Sequence, residues 1–164
     1  MTSILTWLDT STLAVFIRES TWGFPTIESI HVIAISLVIG TIAIVDLRLL
    51  GIGSTRRPVT ELCRDLLPWT WVAFVIAAIT GGLLFISQAT QYFQNTTFRV
   101  KMLFMLLAGV NMLIFEFITY RNVSNWDCDT KTAISGKLAG AISLTCWFAV
   151  AVCGRWLGFT MLSE

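Results

Sequence analysis

The only histidine of the chain, His31, follows Glu28 by three residues in WGFPTIESIH, at the head of a long apolar run. An imidazole can ligate a metal or carry a proton, and a carboxylate one helical turn away can neutralise or orient it. Lys101 and Met105 open the third apolar segment, Cys153 and Arg155 close the fourth, and Gln88 and Gln91 close the second. In a chain whose spans alternate in direction, all of these share the depth of Glu28 and His31, near the outer end. Asp46, Arg48 and Glu116 gather at the opposite ends, with Arg121 close by. Ionisable groups at membrane depth are costly and find partners, so Arg48 bridging Asp46 and Glu116 suffices as a structural account of this inner cluster.

The outer group admits two readings. His31 either pairs with Glu28 or hydrogen-bonds a neighbouring helix as structural glue, or it ligates haem or copper. Haem needs a greasy slot and cations for its propionates, and Lys101 and Arg155 have the depth to supply them. Copper would add the soft ligands Met105 and Cys153. The E-x-x-H spacing is also half of a di-iron carboxylate site, but a single copy without matching carboxylates is too little. The chain has no GxSxG, no Gly-rich phosphate loop and no HExxH.

The elements that must position these residues are membrane helices. Of 164 residues 55% are hydrophobic and only 13% charged, and mean hydropathy is +0.77; an integral membrane protein follows. A net charge of +1 leaves no basic stripe for nucleic acid. Four segments, at about 25–50, 67–93, 98–120 and 135–160, exceed the roughly 20 residues that cross a bilayer. Pro25 and Pro68 are read as first-turn residues that mark helix starts. Residues 3–19 are too polar to cross and predict an interfacial helix broken near Asp9, or one packed on the bundle. The fold class expected for the single domain 1–164 is therefore an all-α four-helix membrane bundle with an N-terminal interfacial helix.

Orientation follows from the basic residues. Arg48, Arg56, Arg57, Arg64, Arg121, Lys131 and Lys137 fall on one side, against Arg18, Arg99, Lys101 and Arg155 on the other. The more basic side faces the cytoplasm, so both termini are expected in the periplasm. No cleavable signal is evident, and the four cysteines form no CxxC pair. On the fourth span Gly136, Gly140, Ser143, Trp147, Gly154 and Gly158 trace one stripe of mostly small residues, with two GxxxG intervals. It must face another helix, read here as a second subunit, with packing inside the chain as the alternative.

Three patches, WGFPTIESIH with its continuation IVDLRLLGIG, the FRVK at Phe98 to Lys101, and SLTCWFAVAVCGRWLGF, together resemble a family of uncharacterised bacterial four-helix inner-membrane proteins. The shared patterns are E-x-x-H at Glu28 and His31, D-L-R-L-L-G at Asp46 to Gly51, and the terminal G-R at Gly154 and Arg155. A looser similarity, the first-span histidine followed by a third-span lysine, reaches HemJ-type haem proteins and, more weakly, the copper-resistance D membrane domain. That similarity implies haem b on His31, with Lys101 essential to the site. The chain departs from the HemJ pattern in having no second histidine and no matching arginine and tyrosine pattern after the first.

The function expected from these observations is a b-type haem protein of the bacterial inner membrane, homo-oligomeric, holding the haem in the outer leaflet. The sixth position is open, or filled by Met102, Met105 or a second subunit's His31. An open position would permit oxidoreductase chemistry on a quinone or other small redox partner, and a filled one favours electron transfer. The alternatives are a copper-binding membrane protein and a non-catalytic structural or accessory oligomer.

Overall fold

The computed structural model describes residues 2–53, 57–115, 117 and 134–160. They form α1 (Thr2–Asp9), α2 (Thr12–Glu19), α3 (Gly23–Leu50), α4 (Val59–Ser87), α5 (Ala89–Gln94), α6 (Thr96–Ile114) and α7 (Ile134–Thr160). Among the described residues there is no strand. α3, α4, α6 and α7 are each long and apolar enough to cross a membrane, so the chain is an all-α multi-pass bundle.

Local chemistry sets the boundaries. Gly51 ends α3 in the left-handed region at φ 78°, where its N–H and that of Ile52 close onto the Arg48 and Leu47 carbonyls. The Asn95 side chain accepts from the N–H groups of Thr97 and Phe98 and so starts α6. Ser11 does the same for α2 through Ala14 N–H, and the break between α1 and α2 falls just after Asp9, as the sequence predicts.

Two boundaries differ from expectation. Pro68 does not stand in a first helical turn: α4 begins at Val59 after Pro58, and Pro68 lies inside it. The polar stretch before it coils because Val59, Leu62 and Cys63 turn one apolar face inward, Val59 and Cys63 packing with Leu49. The helical donor that Pro68 lacks would have served the Arg64 carbonyl. The span also stops at Ser87, where Gln88 (φ −149°, ψ 49°) breaks the helix before the short α5. The expected end of the third span near residue 120 lies outside the described residues.

The long helices pack in the order α4, α3, α7, α6, with α3 and α7 in the middle. Small side chains dominate their contacts, including Ala34, Ala73, Ala77, Ala108, Ala139, Gly136 and Gly140, whereas large apolar residues such as Ile33, Leu37, Val72 and Phe148 are exposed. That inversion of a soluble core is what lipid favours, because close backbone approach is what helices gain from each other in a membrane. At Gly140 a Cβ would lie 3.0 Å from both the Asp46 carbonyl oxygen and Leu49 Cβ. The Gly136 and Gly140 end of the small-residue stripe is thus buried inside the chain.

α1, α2 and α5 lie across one end as a cap. Asp9 accepts from the Thr90 hydroxyl and, at 3.2 Å, from its N–H. Arg18 donates to the Ser87 carbonyl at 3.3 Å. Ala14 and Ile17 are buried beneath, while Ile4, Trp7, Leu13 and Phe16 remain exposed. Of the two expectations for residues 3–19, packing on the bundle is what the contacts of Asp9, Ala14, Ile17 and Arg18 describe, and the opposite face leaves apolar side chains exposed.

Exposed tryptophans mark two levels. Trp7, Trp22 and Trp156 ring the cap end, and Trp69 and Trp71 flank Thr70 at the other. The Thr70 hydroxyl donates to Thr41 on α3 at 2.8 Å. Along α3 the two levels are thus separated by residues 22–41, about 28 Å, close to the hydrocarbon thickness that such aromatic belts bracket.

Candidate functional site

His31 stands nine residues from Trp22 and ten from Thr41, near the midpoint between the two tryptophan levels. It lies in the first third of α3, on the cap side. Its Nδ1 lies 3.0 Å from the Thr80 hydroxyl on α4. The same hydroxyl lies 2.7 Å from the Ile76 carbonyl and 3.3 Å from the Ala77 carbonyl of its own helix. In the arrangement that places its one hydrogen on either carbonyl, the Thr80 oxygen accepts from Nδ1–H of the imidazole and Nε2 keeps its lone pair.

The ring lies against Gly81. A Cβ there would meet His31 Cε1 at 2.8 Å, so glycine is required for this approach of imidazole to α4. From α6, the Lys101 ammonium comes within electrostatic reach of the imidazole. Lys101 is bordered by α7: its Nζ would be 3.8 Å from a Cβ on Gly154, and Cys153 is a further group within its reach. No ion pair joins Lys101 to a carboxylate among the described residues.

His31, Thr80, Gly81, Lys101 and Gly154 thus converge from four helices. Other expected members lie at the edge. Glu28 is exposed on α3 and is not His31's hydrogen-bonding partner; Thr80 is. Glu28 instead acts on Tyr92 of α5, whose phenol is pushed above its ordinary pKa by burial first and by this carboxylate second. The Arg155 guanidinium lies 5.0 Å above the Phe159 ring at the exposed end of α7. Met105 sits one turn beyond Lys101 on the same face of α6 and is half-buried, whereas Met102 is exposed. No group of three or more His, Cys, Asp or Glu side chains converges as a metal-holding set among the described residues.

At the opposite end only the Asp46 and Arg48 part of the expected ion cluster falls among the described residues. Arg48 is 1% exposed, and its Nε donates to the Arg57 carbonyl at 2.8 Å; it does not bridge to Asp46. Ser143 of α7 is the hydrogen-bonding partner of the Asp46 carboxyl instead. The pairing fails because Asp46 and Arg48, two residues apart, point to different sides of the helix. Glu116 lies outside the described residues.

Thr80 and Gly81 were not among the expected site residues. Their signal was the triplet Thr80, Gly81, Gly82 inside an otherwise apolar span, where glycine costs helix stability unless close approach requires it.

The chain belongs to a family of unknown function, DUF6644, whose family model matches residues 4–160. No curated protein and no solved structure matches it.

Proposed function

We propose that this member of the family is a b-type haem protein of the bacterial inner membrane, with both termini in the periplasm and His31 as the axial ligand. One observation carries the reading: the Thr80 hydroxyl engages His31 Nδ1 at 3.0 Å while it also reaches the Ile76 carbonyl, an arrangement in which Nδ1–H donates to Thr80 and Nε2 is free as a lone-pair donor inside an apolar bundle. Outer partners of this kind fix the tautomer and orientation of a ligating imidazole. Lys101, a cation with no carboxylate partner among the described residues, suits a propionate on the cap side of the ring. α4 and α6 are not a packed pair and meet through Phe85 and Phe98, whose rings stack at 5.5 Å near the cap. A planar ring would enter between them, below these aromatics.

The bound haem would supply a one-electron couple. Within the chain, Thr80 would orient His31, Gly81 would let the imidazole lie against α4, and Lys101 beside Gly154 would balance the propionate charge. With one histidine per chain, the sixth position would be open, or filled by Met105 or a second copy's His31. A homo-oligomer accommodates the last case. The positive-inside asymmetry of the arginines and lysines supports the orientation.

The test is the absorption spectrum and haem content per chain of protein purified from haem-replete cells, for wild type and His31→Ala. The expected result is a Soret band in wild type that is lost in the variant, with assembly intact. A wild type that stays colourless and metal-free after haem addition returns His31 and Thr80 to structural glue between α3 and α4. Equal haem in the variant removes His31 as the ligand.

A further inference from the structure

A cavity of 410 Å³ lies between α3 and α7, away from His31 and toward the end of the bundle opposite the cap. Its volume falls in the range of small-molecule sites. Ile39, Ile42, Ala43, Leu144, Phe148 and Ala151 make most of the wall, Thr145 and Trp147 add a hydroxyl and an indole to it, and Asp46 is its one ionisable member. Asp46 is 4% exposed, and its Oδ2 is buried with no hydrogen-bond partner. An unsatisfied carboxyl oxygen buried just behind an apolar wall is expensive, which is a reason to look for a group that completes it once the side chain turns toward the cavity.

Depth narrows the chemistry. Ile39 and Ala151 stand on the bilayer side of the Thr41 to Thr70 level, and Asp46 lies about 8 Å beyond it at 1.5 Å per residue. The cavity therefore runs from hydrocarbon toward the headgroup zone, with the Thr145 hydroxyl and the Trp147 indole along its α7 side and its one carboxyl at the far end. An acyl chain would fill the apolar part and leave Oδ2 unsatisfied. A water-soluble ion would find one carboxyl, one hydroxyl and one indole in a wall otherwise of isoleucine, leucine, alanine and phenylalanine.

We propose that this cavity binds a lipophilic quinone, its ring oxygen hydrogen-bonded to Asp46 after a side-chain rotation and its tail directed along Ile39 and Ala151 to the bilayer. A carboxyl group serves both redox forms, because it can donate to a quinone carbonyl when protonated and accept from a hydroquinone hydroxyl when ionised. The site is built without His31, so it stands whether or not the chain carries haem.

The test is native mass spectrometry of the detergent-solubilised full chain with decylubiquinone as the probe, and with decylbenzene as a tail of the same length lacking ring oxygens. Wild type should retain decylubiquinone in preference to decylbenzene. Asp46→Leu should weaken decylubiquinone binding about tenfold, on the scale of one hydrogen bond. Ala151→Phe, which keeps Asp46 and fills the cavity, should abolish it, and His31→Ala should leave it unchanged. Equal retention of both probes would make the cavity an acyl-chain groove and overturn the proposal. No retention by wild type, or undiminished retention by Ala151→Phe, would overturn it equally.

Discussion

At the scale of single residues, the site turns on where one hydrogen sits. On this reading Thr80 gives its hydroxyl hydrogen to its own helix, as its 2.7 Å contact with the Ile76 carbonyl allows, and receives the one on His31 Nδ1. Thr80→Val keeps the shape of the side chain and removes that acceptor. On the haem reading, retention should weaken about tenfold, the lower end of the cost of losing an outer partner. The iron–histidine stretching band in resonance Raman spectra should shift as well. Titration of haem into the purified variant checks the first, and identical affinity and band position would show that Thr80 orients nothing.

At the scale of elements, the packing of α7 on α3 depends on the absence of side-chain atoms. Gly140 brings the two backbones together where a Cβ would stand 3.0 Å from Leu49 Cβ and from the Asp46 carbonyl. Gly140→Leu should force α3 and α7 apart and destabilise the bundle by about 1–3 kcal/mol, the usual scale of overpacking. The check is the midpoint of thermal unfolding in detergent, followed by helical circular dichroism. An unshifted midpoint would mean that the two helices separate there at no cost. The same geometry accounts for the asymmetry of the stripe: α3 inside the chain fills the side facing Gly140, Gly136 is buried as well, and Lys101 borders Gly154.

At the scale of the whole molecule, what remains for a second copy is the cap end of α7. Gly158 is exposed and has nothing within 4 Å of where its Cβ would stand. Gly158→Leu should therefore fold as wild type. If subunits meet through this end, native mass spectrometry should show the oligomer shifted toward monomers. An unchanged oligomer would send the interface to another span.

The sequence by itself determined the class of the fold and the existence of four spans, because hydrocarbon imposes length and apolarity on every crossing segment whatever its neighbours. It also located the break after Asp9, since capping by Ser11 is local. It missed the start of α4 because the inward face of Val59, Leu62 and Cys63 has meaning only once Leu49 is beside it. The site divides in the same way. His31 and Lys101 stood out as polar groups that a membrane span admits only for a reason. Thr80 and Gly81 did not, since a hydroxyl that bonds its own helix and a glycine in an apolar run are common until a particular imidazole rests on them. Glu28 beside His31 in sequence was a misleading neighbour: side-chain direction turned it to the exposed side, and only the tertiary structure decided that the histidine's partner comes from α4.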